Sequence, residues 1–233
     1  MKRYSLILCL VLIVSLSGVA SAQVVLGPPA TVGGIAHAKV LSYGSTVFDT
    51  YGTFPSFVGN VSMTNYPTTV IYYIQGAVEF NLSPAIPPTF TSNNFTARLS
   101  GLTASDATGT GTMNIDFYDM GDCTENGAVT KADFNSIKGT SLASRVHTFG
   151  GTSADFNSID VTCAVRQDLF GKCSGDFSGF ILKCPNAPAY KWVAFTDTPT
   201  LTINTGVLGP NCPECSMKCG DDGGGCFIAT SAQ

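Results

Sequence analysis

The densest group of potential metal ligands in the chain is acidic. Asp116, Asp119, Asp122 and Glu125 follow one another at every third position, at the end of a predicted strand and in the loop after it. Carboxylate oxygens are the ligands that calcium prefers, so this group predicts a structural calcium site. The spacing differs from the alternating ligands of an EF-hand loop. A solvated loop held in place by Cys123 is the alternative interpretation.

Aromatic side chains near polar ones indicate a second kind of chemistry, the stacking of sugar rings. Tyr190 and the only tryptophan, Trp192, stand beside the proline-containing loop 185–189. Aromatic faces bind the apolar faces of sugars, while nearby amides and carboxylates bind the hydroxyls. Both residues are therefore candidate glycan-binding residues. The alternative for Trp192 is burial of a large aromatic side chain in a strand.

The sequence nominates no catalytic residue. Its two histidines, His37 and His147, lie in unrelated segments, and no nucleophile elbow, zinc-binding helix or phosphate-binding glycine loop is present. The two carboxylates of a glycosidase come from separate strands, so spacing along the chain does not reveal them. We therefore expect a protein without enzymatic activity. A polysaccharide-active enzyme with an unrecognised carboxylate pair is the alternative.

The N-terminus has the layout of a secretory signal peptide. Lys2 and Arg3 precede the apolar run 5–19, and the small residues Ala20-Ser21-Ala22 follow it. This order predicts cleavage after Ala22 and a secreted or cell-surface location. The apolar run of about 15 residues is shorter than the roughly 20 needed to cross a bilayer. We accordingly expect no transmembrane span in the mature chain.

The charge balance argues against two classes of partner. The whole chain carries a net charge of −4, and the leader holds two of its 12 basic residues and none of its 16 acidic ones, which leaves −6 after cleavage. A net negative chain is repelled by nucleic acid and by anionic membrane surfaces. Glycans and other cell-surface components remain the expected partners.

Eight cysteines remain once the leader is removed, and an even number in an exported chain predicts disulfides. In the body of the chain we expect Cys163 or Cys173 to pair with Cys184, and Cys123 to pair with the other. The tail cysteines also allow a zinc interpretation, but they follow one another too closely for two separate zinc knuckles. Disulfides are therefore favoured for the tail cysteines Cys212, Cys215 and Cys219.

Apolar residues alternate with polar ones through most of the chain, which is typical of strands. We therefore expect strands to position the acidic, aromatic and cysteine side chains described above. The alternation is clear in 78–82, 95–99, 113–117 and 201–203. The denser runs 69–74, 180–182 and 192–195 predict strands that are covered on both faces or lie at the centre of a sheet. One stretch, Ala164 to Phe170, is predicted to be helical and to end at Gly171. Many short strands separated by turns predict an all-β fold, a two-sheet antiparallel sandwich of jelly-roll type with one short helical turn.

A six-residue motif occurs twice, as Ala132-Asp133-Phe134-Asn135-Ser136-Ile137 and again as residues 154–159. A duplicated ligand loop is one interpretation. We favour two equivalent entries into strands, with Phe and Ile facing the core and Asp and Asn bonding to the local backbone.

The order of these segments resembles that of the DNRLRE (disaggregatase-related) domains over residues 23–205. The matching runs are Gly76-Ala77-Val78-Glu79-Phe80-Asn81-Leu82-Ser83, Phe95-Thr96-Ala97-Arg98-Leu99, Ile115-Asp116-Phe117-Tyr118, Ala132-Asp133-Phe134, Asp160-Val161-Thr162, Ser178-Gly179-Phe180-Ile181-Leu182 and Pro199-Thr200-Leu201-Thr202-Ile203. The resemblance implies a jelly-roll sandwich similar to the family 6 carbohydrate-binding modules, in a cell-surface protein. It does not imply a particular ligand.

The C-terminal segment Gly223-Gly224-Gly225-Cys226-Phe227-Ile228-Ala229-Thr230 resembles the CFI-box of exported bacterial proteins. The resemblance implies sorting or processing near Cys226, Phe227 and Ile228. The chain departs from the family by having Ser231 in place of the usual Ala, and by ending at Gln233 where other members continue.

The sequence thus predicts a signal peptide in 1–22, a jelly-roll domain in 23–205 and a Gly- and Cys-rich tail in 206–233. The expected function is that of an exported, non-catalytic module that binds glycan or has a structural role, with no cofactor other than the predicted calcium. Besides the enzyme, a subunit of an extracellular assembly is an alternative, supported by the uncharged Thr- and Tyr-rich first half of the chain.

Overall fold

The computed structural model describes residues 23–26, 31–41, 53–54, 57–65, 68–83, 94–121, 124–128, 130–170, 176–186, 190–195 and 198–212, with backbone only for 31–41, 53–54, 57, 61–65, 68–70 and 131. Within these ranges the chain forms fourteen strands and one α-helix. They are β1 (Gln23–Leu26), β2 (Thr31–Leu41), β3 (Thr53–Phe54), β4 (Phe57–Asn65), β5 (Thr68–Asn81), β6 (Phe95–Ser100), β7 (Leu102–Thr108), β8 (Thr112–Met120), β9 (Ile137–Thr148), β10 (Asp155–Phe156), β11 (Ile159–Asp160), α1 (Thr162–Phe170), β12 (Phe177–Lys183), β13 (Trp192–Phe195) and β14 (Thr200–Thr205).

The strands form two antiparallel sheets. The smaller sheet has the order β1-β14-β6-β11, and the larger has the order β10-β7-β13-β4-β5-β12-β8-β9, with β2 beside β5 and β3 beside β2. The predicted all-β sandwich with one short helix is confirmed. No helix in the described part of the chain is long and apolar enough to cross a bilayer.

The core lies where the alternating residues meet. Residues at every second position of β6, β8 and β14 are buried, as the sequence predicts. The centre of the core is aromatic: Phe117 stacks on Phe180 with a centroid distance of 5.2 Å, and it also contacts Phe156 at 5.7 Å. Both sheets contribute to this one cluster, so the sandwich has a single main core.

The larger sheet forks at β5. On one side, β5 pairs with β2 along residues 69–79. On the other side its first half, residues 68–74, pairs with β4, whereas its second half, residues 76–81, pairs with β12. Gln75 stands at the point where the partner strand changes. A sheet that forks in this way leaves a gap between the two diverging strands.

Part of the outer face of the larger sheet is also buried. Ala77, Met120 and Ile181 form a second cluster there, against which Phe134 and Ile137 pack. The segment around residues 124–137 therefore covers the sheet, and it explains why the run 180–182 is apolar at every position. The prediction that this strand is covered on both faces is confirmed.

The helix α1 begins at Thr162, two residues before the predicted start, and Gly171 lies outside the described residues. The Asp160 side chain accepts a hydrogen bond from the Thr162 backbone N–H at 3.0 Å, which forms an Asx turn just before the helix. The Thr162 hydroxyl lies 2.9 Å from the Ala97 N–H and 3.3 Å from its carbonyl oxygen. These bonds attach the start of the helix to β6.

The two copies of the repeated motif differ in structure, so the predicted equivalence is wrong. Phe134 of the first copy packs on the outer cluster, whereas Phe156 of the second is buried in the main core. Asp133 is buried and accepts from Thr130, but Asp155 is exposed. The tertiary environment, rather than the local motif, decides the role of each copy.

Candidate functional site

The structure brings two of the four predicted calcium ligands together and adds a third residue. One carboxylate oxygen from each of Asp119, Glu125 and Asp168 lies within 4.8 Å of the others. Asp116 is elsewhere: its two oxygens accept from Ser144 and Tyr118 at 2.6 and 3.1 Å. The structure therefore does not place Asp116 in this group. Asp122 lies outside the described residues, as does Cys123.

Asp168 was missed because it is 43 positions beyond Glu125 along the chain and lies on α1. It is buried, as is Asp119, and Ser178 donates a hydrogen bond to it. The Gly179 N–H donates to Glu125 at 2.7 Å, and the Lys138 ammonium lies 4.0 Å from Asp119. Oxygen donors at this spacing fit a hard cation such as calcium, while Lys138 already supplies one positive charge.

A further buried carboxylate lies under the segment that follows Glu125. Glu79, on β5, accepts from the backbone N–H groups of Asn126 and Gly127 at 2.9 and 2.8 Å. Burial raises the pKa of Glu79, and the two backbone hydrogen bonds offset this only in part. Glu79 thus anchors the covering segment to the sheet from within, and it does not face the solvent.

A cleft of about 390 Å³ opens on the outer face of the larger sheet at the fork beside β5. Tyr73 and Gln75 reach it from β5, because residues two apart on a strand point to the same face. Asn135 comes from the covering segment, and Lys183 and Asn186 come from the end of β12 and the turn after it. No acidic residue lies among the described residues that line this cleft.

The polar floor of the cleft is held by a hydrogen-bond network. Gln75 donates to the Asn135 Oδ1 at 2.8 Å and accepts from the Asn135 backbone N–H at 3.0 Å. The Lys183 ammonium also donates to Asn135 Oδ1, at 3.0 Å. Asn135 has a φ of 62°, a left-handed conformation that asparagine tolerates better than most residues. The network therefore fixes the positions of these three side chains.

A buried acceptor lies close to the same fork. Asn60 follows the cleft-lining Gly59 and pairs with Tyr73 across β4 and β5. Its side chain is buried, and its Oδ1 has no hydrogen-bond partner among the described residues. An unsatisfied buried acceptor costs about 1–3 kcal/mol.

The aromatic residues around the cleft differ in exposure. Tyr73 lines the cleft and is 37 % exposed. Trp192 pairs with Gly59 across β13 and β4 and is half-buried, while Val193 and Phe195 take the core-facing positions of β13. Trp192 thus lies outside the main core, against the burial alternative. Tyr190 is 61 % exposed, with a φ of 67°, and does not line the cleft.

His147 is fully buried and both of its ring nitrogens are engaged. The Ala154 N–H donates to Nδ1 at 3.3 Å, and Nε2 lies 2.7 Å from Asp106 Oδ1. An Nδ1 that accepts carries no proton, so Nε2–H donates to Asp106. This histidine therefore links β9 to β7 and has no nitrogen left to act as a base. The side chain of His37 lies outside the described residues.

The predicted pairing of Cys163 or Cys173 with Cys184 is wrong. Cys163, on α1, forms a disulfide with Cys212 of the tail, and Cys184 is a free thiol. Burial raises the pKa of the Cys184 thiol. The prediction failed because the disulfide joins the helix to the tail segment, and the local spacing of cysteines does not reveal such a contact. Cys123, Cys173, Cys215, Cys219 and Cys226 lie outside the described residues, as do Ala22, Phe227 and Ile228.

The chain was also compared with known proteins. No family model matches it, and no curated protein matches it at a significant level. The resemblances to the DNRLRE domains and to the CFI-box therefore stay predictions.

Proposed function

We propose that this protein is an exported, non-catalytic module of the cell surface or extracellular space, and that it binds glycan at the cleft beside β5. The observation that carries the proposal is the network of Gln75, Asn135 and Lys183 on the floor of that cleft, next to the partly exposed ring of Tyr73. Amides and an ammonium group suit sugar hydroxyls, and an aromatic face suits the apolar side of a sugar ring.

The arrangement of the carboxylates supports binding over hydrolysis. A glycosidase needs two carboxyl groups that face each other across the bound sugar. The described lining of the cleft holds none, and the carboxylates that do converge, Asp119, Glu125 and Asp168, lie close together with two of them buried. The signal-peptide pattern before Gln23 supports export.

We predict that the full chain binds at least one member of a polysaccharide panel saturably and without hydrolysis. Tyr73→Ala should weaken this binding by about two- to tenfold, because stacking on an aromatic ring contributes about 0.5–1.5 kcal/mol. Isothermal titration measures the affinity, and an assay for new reducing ends measures hydrolysis.

Tyr190→Ala is the matched control, since it removes the same side chain from an exposed position outside the cleft. It should leave the affinity unchanged. Loss of binding in Tyr190→Ala alone would move the site to the surface around Tyr190 and Trp192. Hydrolysis that disappears with one carboxylate substitution would contradict the proposal and favour an enzyme.

One observation favours the assembly alternative. Strand β2 is 11 residues long, and on the side away from β5 its only described partner is β3, at Gly34 and Ile35. Exposed strand edges pair readily with strands from other molecules. Concentration-dependent oligomers in analytical ultracentrifugation would favour an assembly subunit over a glycan-binding module.

A further inference from the structure

The cleft beside β5 presents positive charge and hydrogen-bond donors. Lys183 has three N–H donors, and one of them is used by Asn135. The Asn135 Oδ1 accepts from both Gln75 and Lys183, so its orientation is fixed and its two amide N–H groups point away from these donors. Asn135 is exposed, which leaves those N–H groups accessible to a ligand.

No carboxylate is among the described residues that line the cleft. Asp116 pairs with Lys183 across β12 and β8 and keeps its negative charge, which acts on the cleft-lining Cys184. Its oxygens accept from Ser144 and Tyr118, and the described residues show no ion pair between Asp116 and Lys183. A cation that donates to a neutral amide keeps its charge available for an anion.

The lining of the cleft also includes less polar residues, namely Tyr73, Ile74 and Pro185. A ligand that fits therefore has one anionic group and one face of C–H groups. Sugars that carry an acid group combine these two features, whereas inorganic anions and neutral sugars each offer only one of them.

We propose that the cleft binds an anionic saccharide, with the acid group held by Lys183 and the Asn135 amide and the sugar ring lying against Tyr73. This inference rests on the proposed glycan-binding function and names the ligand class of the same cleft. Carboxylate and sulfate ester share the required chemistry, because each offers several charged acceptor oxygens.

The negative net charge of the protein does not contradict this proposal. The chain as a whole carries −4, and long-range repulsion of an anionic polymer follows from it. Repulsion beyond the Debye length of about 8 Å is screened at physiological ionic strength. Contacts at hydrogen-bonding distance inside the cleft then decide the affinity.

The test uses the full chain and two polymers with the same backbone, polygalacturonate and its methyl ester. We expect polygalacturonate to bind at least about tenfold more tightly than the ester, which lacks the charge. Lys183→Met should remove most of this difference, since it keeps the apolar stem and removes the ammonium group.

Dextran sulfate and dextran form the second pair of charged and uncharged polymers. Preference for both acidic polymers supports the shared chemistry, and preference for polygalacturonate alone assigns a carboxylate.

Lys191→Met is the matched control. Lys191 does not line the cleft, although its charge acts on the cleft-lining Cys184, and its ammonium extends towards Gly111. It should change the affinity for polygalacturonate by less than about threefold. Equal losses in both lysine variants would overturn the proposal, because they would indicate a non-specific charge effect.

The remaining outcomes separate the two proposals. Equal, Tyr73-dependent binding of the charged and uncharged polymers overturns the anionic ligand and leaves the glycan-binding function in place. If the unsubstituted protein melts cooperatively but binds no glycan, both the anionic ligand and the glycan-binding function are overturned.

Discussion

At the scale of single residues, the acidic cluster illustrates how partners far apart in sequence form one group. Asp119 and Glu125 lie near each other on the chain, and Asp168 joins them from the helix. The predicted calcium site is therefore revised to Asp119, Glu125 and Asp168, and calcium binding itself stays a prediction. Carboxylate density in the sequence suggested a calcium site, but a list of neighbouring acids could not indicate which of them converge.

We predict that calcium raises the melting temperature of the protein and that EDTA reverses the rise. Calcium at a hundredfold excess over its dissociation constant stabilises a folded protein by about 2.7 kcal/mol. Asp168→Asn should abolish the response. Asp116→Asn is the matched control and should keep it, because Asp116 is bonded to Ser144 and Tyr118 instead. An unchanged melting temperature of the original chain in calcium would contradict the prediction.

At the scale of elements, β7 and β9 are linked through one carboxylate. Asp106 on β7 accepts from His147 on β9 and from the Gly150 N–H in the turn after it, at 2.7 Å each. These hydrogen bonds, first that of Gly150 and then that of His147, lower the pKa of Asp106 from its ordinary value of 3.8. The stabilisation is therefore present above pH 3.8 and is lost as the pH falls through the lower, folded-state pKa.

We predict that Asp106→Asn lowers the melting temperature at neutral pH and that the difference from the original chain shrinks as the pH falls below 3.8. Thermal unfolding followed by circular dichroism across this pH range measures the effect. Asp155→Asn, at an exposed position on β10, is the control and should follow the original chain at every pH. A constant difference at all pH values would show that the carboxylate charge is not involved.

At the scale of the whole molecule, the tail is part of the folded body as far as Cys212. The Cys163–Cys212 disulfide spans 49 positions, and Arg166 on α1 donates to the Pro210 carbonyl at 2.9 Å. The Cβ of any residue larger than glycine at position 209 would clash with the Phe95 carbonyl oxygen, so the segment packs closely on the sandwich. The predicted domain boundary at residue 205 thus leaves out residues that contact the domain.

We predict that replacing both Cys163 and Cys212 by Ser lowers the free energy of unfolding by about 2–4 kcal/mol, because the unfolded chain loses a long-range constraint. Urea unfolding measures the change. A chain that ends at residue 205 should lose at least as much free energy of unfolding. A chain that ends at residue 212 should keep the stability of the full chain. Cys184→Ser, which breaks no disulfide, is the control. Equal stability of the chains ending at 205 and 212 would contradict the prediction.

The all-β class, the buried positions of β6, β8 and β14 and the short helix follow from the sequence alone. Periodicity determines them, because strand and helix repeats are local and each places its apolar residues on one face. The fork at β5, the convergence of Asp168 on Asp119 and the pairing of Cys163 with Cys212 depended on tertiary structure. Each of these joins segments that are distant along the chain, and local patterns carry no information about which distant segments meet. The cleft at the fork, with Tyr73, Asn135 and Lys183 around it, exists for the same reason: it forms only where β4 and β12 diverge from one strand.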